Sequence, residues 1–570
     1  LTSIIEKLSR ERKDLQAQGE LPDWLTTQAW QLLKDKYLWN TNSLKDTFRR
    51  IARTLAKHAK TKPEWWLATD TWEDKFFDVL WKGHLAASTP VLSNTGTTKG
   101  CPVSCSGNYV HDSIHGFYDA RKEVAILTKN GFGTSSYLGD IRARGSKIAS
   151  GGKASGVLPV FKGFVQDMRD VAQGTSRRGA WAGYLEIDHD DFYELVDHVY
   201  HYPDDANVGF IYSDAFIERL KTGDKDATER YQRHMKLRAV TGKGYFMFSD
   251  KVNRLNPPMY RDRGIEVKAS QLCSEVLLYS GQDMTYTCVL SSLNLTKWDE
   301  WKDTDCVFVS TVFLDCVAQE FVELGRNIVG LEKAVLFTEK SRALGLGALG
   351  MHSLFQSKML PFESMEAHLL NLDIFEHIQK EAEKASEWMA KEWGEPEWCK
   401  GYGKRATHLM AIAPNTSSAL ICGGVSQGIE PIVANVYTQN SAGGELERMN
   451  PTLIGIMKGR GVYDEDHIHD VAVNNGSVQH VDWLTPIEKQ VFKTAYEIDQ
   501  KAIVRLANAR SQFIDQGTSL NLFFDADEDE AYISEVHKEA ILSPYIKTLY
   551  YMRSKAGVSA SKGECVACEG

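Results

Sequence analysis

From about residue 85 to about residue 555, short apolar runs alternate with long helical segments, and no linker-like stretch interrupts them. "YFMFSD" and "AHLMAIAP" have the length of buried strands. "ESMEAHLLNLDIFEHIQKEAEKASEWMAKEW" reads as a helix, with apolar residues three to four apart. Strands alternating with helices point to an α/β architecture, closed or open. With 570 residues the chain could hold several domains, but the unbroken alternation favours one large unit over 85–555.

Residues 1–84 read as a helical region. "PDWLTTQAWQLLKDKYLW" and "SLKDTFRRIARTLAKHA" both carry helical periodicity. The basic stretch "RRIARTLAKHAK" reads as a solvated helix face. Late helices are expected through "PIEKQVFKTAYEIDQKAIVRLANARSQF" and "EVHKEAILSPYIKTLYYMRS". Two glycine-rich loops, "GSKIASGGKASG" and "AQGTSRRGAWAG", suit either anion binding or exposed turns. Residues 556–570, beginning "AGVSASKGECVACEG", are too small and polar to build a core and are expected to form a flexible tail.

Composition narrows the class. The net charge of −10 argues against a general nucleic-acid binder. No apolar run approaches the roughly 18 residues of a membrane helix, and no secretory signal pattern opens the chain. Ten cysteines, irregularly spaced, do not make a disulfide framework. A reducing, cytoplasmic location is the expectation.

The thiols carry the first chemical signal. Cys565 and Cys568 form a Cys-x-x-Cys pair near the end of the chain. A zinc site needs further ligands, and only His537 lies near in sequence. A redox dithiol on a flexible string is the better reading, and it requires something to reduce. "NTGTTKGCPVSCSGNYV" holds Cys101 and Cys105, and "ASQLCSEVLLYSGQDMTYTCVLSSLNL" holds Cys273, Glu275 and Cys288. On a strand Cys273 and Glu275 would face one way, although a buried cysteine is most often a small hydrophobe. Tyr550 and Tyr551 stand adjacent in "TLYYMR".

In order, these motifs resemble the catalytic large subunit of ribonucleotide reductase. The order is Ser-Cys, Leu-Cys-x-Glu, Cys-x-Leu-Ser-x-x-Asn-Leu, Ala-Pro-x-Thr-Ser-Ser, Thr-Leu-Tyr-Tyr-x-Arg and a terminal cysteine pair. "ASTPVLSNTGT", "GDIRARGS", "SRALGLGALGMHSL" and "GVSQGIEP" extend the likeness over roughly residues 85–570. The resemblance implies a ten-stranded α/β barrel with a central loop carrying the radical cysteine, Cys273. A thiyl radical there would abstract the ribose 3′ hydrogen, with Glu275 as general base. Cys105 and Cys288 would supply two electrons and close to a disulfide. Cys565 and Cys568 would then reduce that disulfide by exchange and be reduced in turn by thioredoxin or glutaredoxin. Cys101 has no clear counterpart, and Cys306, Cys316, Cys399 and Cys422 are expected to be structural.

By the same resemblance Thr89, Ser104, Pro414, Asn415, Thr416, Ser417 and Ser418 would contact substrate, the last three opening a helix at the phosphates. Their alternative is a simple helix cap. Gln271 stands where the family usually has Asn, keeping the amide for substrate contact on a side chain one methylene longer. Asp112, Arg142 and Arg177 would bind a deoxynucleoside triphosphate or ATP specificity effector at a homodimer interface, and a loop from Ala172 to Tyr184 would relay it to the substrate base. No counterpart of the family's N-terminal ATP cone stands in residues 1–80, so on/off control through such a cone is not expected.

Tyr551 and Tyr550 imply a class I enzyme, a ribonucleoside-diphosphate reductase whose radical arrives from a metal-containing small (beta) subunit, with no metal or cofactor held permanently in this chain. The alternatives are a class II enzyme using adenosylcobalamin and a nucleotide-binding homologue that has lost catalysis.

Overall fold

A computed structural model describes residues 2–173, 177–441 and 444–554. The first helices follow the expected periodicity. Thr27–Lys36 and Leu44–Ala56 are capped by the hydroxyls of Thr26 and Ser43. Thr2–Ala17 and Trp72–Trp81 complete the helical entry. The basic face of the second expected helix is not simply solvated. Arg49 pairs with Asp74 at 2.8 Å and lies over the Phe77 ring, and Arg50 donates to the Thr95 and Leu92 carbonyls. Arg49 thus joins two helices of the entry, and Arg50 ties the entry to the segment that precedes the sheet.

Five parallel strands come next: Cys105–Tyr109, Gly133–Tyr137, Trp181–Glu186, Asn207–Tyr212 and Tyr245–Phe248. Tyr286–Asn294 then runs antiparallel to the first of them, with Cys105 opposite Cys288. Leu344–Leu349 lies parallel on its other edge. The extended segments 408–412 and 516–521 continue the ring through the bridges Leu346 to Met410 and Ile412 to Thr518. Leu522–Phe524 pairs in parallel with Met552–Ser554, and Thr548–Leu549 closes antiparallel onto Tyr245–Phe248. Two parallel five-membered halves thus meet antiparallel at both seams, giving the ten-membered α/β barrel. Strands buried on both faces read as continuous apolar runs, which is why "YFMFSD" stands out in the sequence.

Two sequence expectations change. The stretch from Pro486 is two helices, Pro486–Val491 and Gln500–Ser511. The second starts afresh at Asp499, whose carboxylate caps Lys501 N–H. The expected helix through "TLYYMRS" stops at Leu542. Pro544 cannot continue it, and the apolar residues that follow enter the barrel wall as strands. The expected loop from Ala172 also ends early, because Trp181 and Tyr184 belong to a barrel strand and Trp181 stacks on Phe164 at 4.5 Å. Among the described residues no helix is long and apolar enough to cross a membrane.

Candidate active site

Residues 269–278 form an irregular segment that is buried along its whole length. A buried loop must satisfy its backbone polar groups internally, and here the barrel wall does so. The Ser135 hydroxyl donates to the Ser270 carbonyl, and the Tyr184 hydroxyl to Gln271 O at 2.6 Å. Gly517 N–H donates to Glu275 O, and the Thr548 hydroxyl to Ser274 O. Contacts from both barrel halves place this loop at the centre. Ser274 takes φ 68°, a left-handed kink between Cys273 and Glu275. The two side chains therefore do not rely on the strand alternation expected from sequence.

The loop brings Cys273 and Glu275 to Ser519 of the wall. Ser519 Oγ lies 2.8 Å from Glu275 Oε2 and 2.5 Å from the Cys273 carbonyl oxygen. Its one proton serves one acceptor at a time. Across from the loop, Cys105 and Cys288 are direct cross-strand partners. Antiparallel partners sit about 4.5–5.5 Å apart at Cα, within the range a disulfide spans. Gly345 makes room for the pair: a Cβ there would meet Cys288 Sγ at 2.8 Å and Leu290 Cδ2 at 2.4 Å. Burial first, then the neighbouring Cys105 sulfur, holds the Cys288 thiol well above its ordinary range, so it is kept as S–H. All eight cysteines among the described residues are buried and unbridged.

Gln271 joins the two groups of cysteines. Its Oε1 accepts from Cys273 N–H, and its Nε2 lies 3.7 Å from Cys105 Sγ. The wall residue Gln516 does the same on the other side. Its Nε2 lies 3.7 Å from Cys288 Sγ, and its Oε1 accepts from Leu277 N–H at 3.0 Å. Sequence reading missed Gln516 and Ser519, since "DQGTSLNL" looks like a polar turn before a strand.

Tyr550 and Tyr551 are both buried, with ring centroids 4.3 Å apart. Tyr245, another residue the sequence did not mark, packs against both at 5.0 and 5.4 Å. Asn207 Nδ2 donates to the Tyr551 hydroxyl at 3.1 Å, and the Arg553 guanidinium lies over the Tyr551 ring at 4.4 Å.

Thr416, Ser417 and Ser418 do open a short helix, Thr416–Ile421. Its cap position is Asn415, in the left-handed region at φ 61° and without a side-chain cap bond. The simple-cap reading of the three hydroxyl residues therefore does not hold. Asn415 instead accepts from Ser292 Oγ at 2.9 Å and donates to the carbonyl of Ala413, the residue before Pro414. Thr89 Oγ1 lies 3.2 Å from the Tyr37 hydroxyl. The buried Ser104 hydroxyl, next to Cys105, has no partner among the described residues, a condition that a ligand would relieve.

Asp112 and Arg142 form an ion pair at 2.6 Å. The backbone of Arg177 lies in a short ladder with Gln173, while its side chain falls outside the described residues. Cys565 and Cys568 lie outside them entirely.

With this geometry in place, comparison with known proteins identifies the class. The chain matches the family model described as "Ribonucleotide reductase, barrel domain" over residues 103–230, 224–401 and 396–552. It matches "Ribonucleotide reductase, all-alpha domain" over residues 23–100. The chain belongs to the ribonucleotide reductase large-subunit family and is an oxidoreductase of that family. Among its relatives, the putative ribonucleoside-diphosphate reductase large subunit of Frog virus 3 is 33% identical, over 96% of this chain and 99% of that protein. The corresponding large subunit of Invertebrate iridescent virus 3 is 31% identical, over 95% of this chain and 97% of that protein. A solved structure, the Actinobacillus ureae class Id ribonucleotide reductase alpha subunit, superposes with a TM-score of 0.86 at 35% identity. That match covers 94% of this chain and 98% of the other.

Proposed function

We propose that this chain is the catalytic subunit of a class I ribonucleoside-diphosphate reductase. The observation that carries the reading is the convergence of a cross-strand dithiol, Cys105 and Cys288, with a central loop that presents Cys273 and Glu275. A thiyl radical at Cys273 takes the hydrogen atom from the ribose 3′ carbon, and Glu275 takes the 3′ hydroxyl proton. The 2′ hydroxyl leaves as water. Cys105 and Cys288 give two electrons and two protons as their sulfurs join, and Cys273 returns its hydrogen to the 3′ carbon. Ribonucleotide and dithiol become deoxyribonucleotide, disulfide and water. The protonated state of Cys288 supports its part in this, since a thiol and not a thiolate delivers hydrogen.

Substrate binding falls to Ser104, whose hydroxyl awaits a partner, with Thr89, Pro414, Asn415, Thr416, Ser417 and Ser418. Gln271 spends its amide on Cys273 and Cys105, which favours holding the thiols over reading the sugar. Asp112 and Arg142, already juxtaposed, form the effector site together with Arg177 at a homodimer interface. Tyr551 and Tyr550 pass the oxidising equivalent inward from a metal-bearing small subunit, and their 4.3 Å ring separation suits a short hop. Cys565 and Cys568, on a tail of residues 556–570 following the 85–555 barrel and the 1–84 helical region, re-reduce the internal disulfide and are served by thioredoxin or glutaredoxin in a reducing cytoplasm.

The test is ribonucleotide reduction by the chain with dithiothreitol and a deoxynucleoside triphosphate effector, alone, with adenosylcobalamin, and with a metal-loaded small subunit. Turnover only with the small subunit, lost in Tyr551→Phe, is the expected result. Turnover that needs cobalamin instead would make the enzyme class II and leave the tyrosines as packing.

A further inference from the structure

Each sulfur of the internal dithiol faces one carboxamide. Gln271, from the central loop, approaches Cys105, and Gln516, from the barrel wall, approaches Cys288, both with Nε2 3.7 Å from sulfur. The bonding around Gln516 fixes which end of the amide meets the sulfur. Its oxygen accepts from Leu277 N–H at 3.0 Å, and its nitrogen donates to the Leu344 carbonyl at 2.8 Å. Turning the amide over would set oxygen against the Leu344 carbonyl oxygen and N–H against N–H. An NH2 group has two protons. One goes to Leu344, and the other points at Cys288. The same reasoning fixes Gln271, whose oxygen accepts from Cys273 N–H.

Taking the dithiol to be the reductant described above, we propose that Gln271 and Gln516 form a paired thiolate cradle, one donor for each sulfur, with Gln516 a positioning residue for disulfide exchange. An incoming dithiol attacks as its thiolate on one sulfur of the Cys105–Cys288 disulfide. The S–S bond breaks, and the other sulfur leaves as a thiolate. That charge forms in a buried site beside the carboxylates of Glu275 and Asp515, both of which disfavour a thiolate at Cys288. A preorganised N–H opposes them, and the Gln516 hydrogen bond lowers the Cys288 pKa against their influence. The second thiol of the reductant then displaces the mixed disulfide, leaving the reductant oxidised and both protein sulfurs protonated. Because the Gln516 oxygen also holds Leu277 of the central loop, the same amide keeps Cys288 and the loop in register.

The experiment uses the full chain as wild type, Gln516→Met and Gln516→Glu. Both variants keep the side-chain length, and each loses the neutral N–H donor. Disulfide is formed in each with diamide, and dithiothreitol-driven recovery of the Cys105 and Cys288 thiols is followed by timed alkylation and peptide mass spectrometry. Loss of a hydrogen bond to a forming charge predicts re-reduction slowed about tenfold. In steady-state assays kcat falls with it while the substrate KM stays within about twofold. Re-reduction within about twofold of wild type in both variants overturns the proposal, whatever their melting temperatures. Diamide oxidation needs no ribonucleotide turnover. A chain that fails to reduce ribonucleotides therefore refutes the enzymatic reading without touching this result.

Discussion

Ser519 holds one proton within reach of both the Glu275 carboxylate and the Cys273 carbonyl. On the proposed mechanism Glu275 takes a proton from a substrate hydroxyl, which requires that its carboxylate be held in place, and Ser519 is one group that holds it. Ser519→Ala is expected to lower kcat about tenfold, the typical cost of removing a hydrogen bond to a charged group. Substrate KM and melting temperature should change little. Steady-state kinetics beside a thermal melt check this, and an unchanged kcat would show that Glu275 is held by other contacts. Cys105, Cys273, Glu275 and Cys288 were marked in the sequence by their residue types and order, and the fold brings them to one place. Ser519 and Gln516 were not. Serine and glutamine are common, and what sets these two apart is being placed by 408–412 and 516–521 against a loop some 240 residues earlier.

Among the elements, those misread from sequence lie where the chain changes from helix to barrel wall. The helix Glu530–Leu542 gives way at Ser543 and Pro544 to the strand that brings in Tyr550 and Tyr551. Periodicity could not separate the two, because a short apolar run fits a buried helix as well as a buried strand. Lys251 stabilises the junction. Its buried amine donates to the Ile541 carbonyl at 3.1 Å and the Ile546 carbonyl at 2.8 Å. Burial, with Arg254 nearby, lowers its pKa to about 7. Between about pH 7 and the ordinary lysine range the unfolded chain binds a proton there that the folded chain does not. Stability therefore rises with pH across that window. From pH 7 to pH 9 the gain from Lys251 is of order 2 kcal/mol, and Lys547, lowered to about 8 by burial, adds in the same direction. Melting temperatures over this range should climb for wild type and climb less for Lys251→Met. An identical climb would mean that Lys251 stays charged when folded.

For the whole molecule, the closed ring has a consequence for electron supply. Both halves contribute hydrogen bonds to the central loop, and the sulfurs of Cys105, Cys273 and Cys288 are buried inside the ring. A folded thiol-disulfide oxidoreductase cannot bring its own cysteines to Cys105 and Cys288 without opening the barrel. If Cys105 and Cys288 are the reductant proposed above, their reducing equivalents must come on something as thin as a single extended chain or a small dithiol. Deleting residues 556–570, which carry Cys565 and Cys568, is therefore expected to separate two activities. A pre-reduced, truncated chain with a small subunit should still make about one deoxynucleotide per active site, because on the proposed mechanism Cys105 and Cys288 hold the two electrons for one turnover. Continued turnover with thioredoxin and its reductase should fall at least a hundredfold. Dithiothreitol, small enough to enter, should restore part of it. Rapid-quench product counting against the thioredoxin steady state makes the comparison. Undiminished thioredoxin-driven turnover in the truncated chain would show that the barrel opens enough for a reductase to reach the dithiol directly.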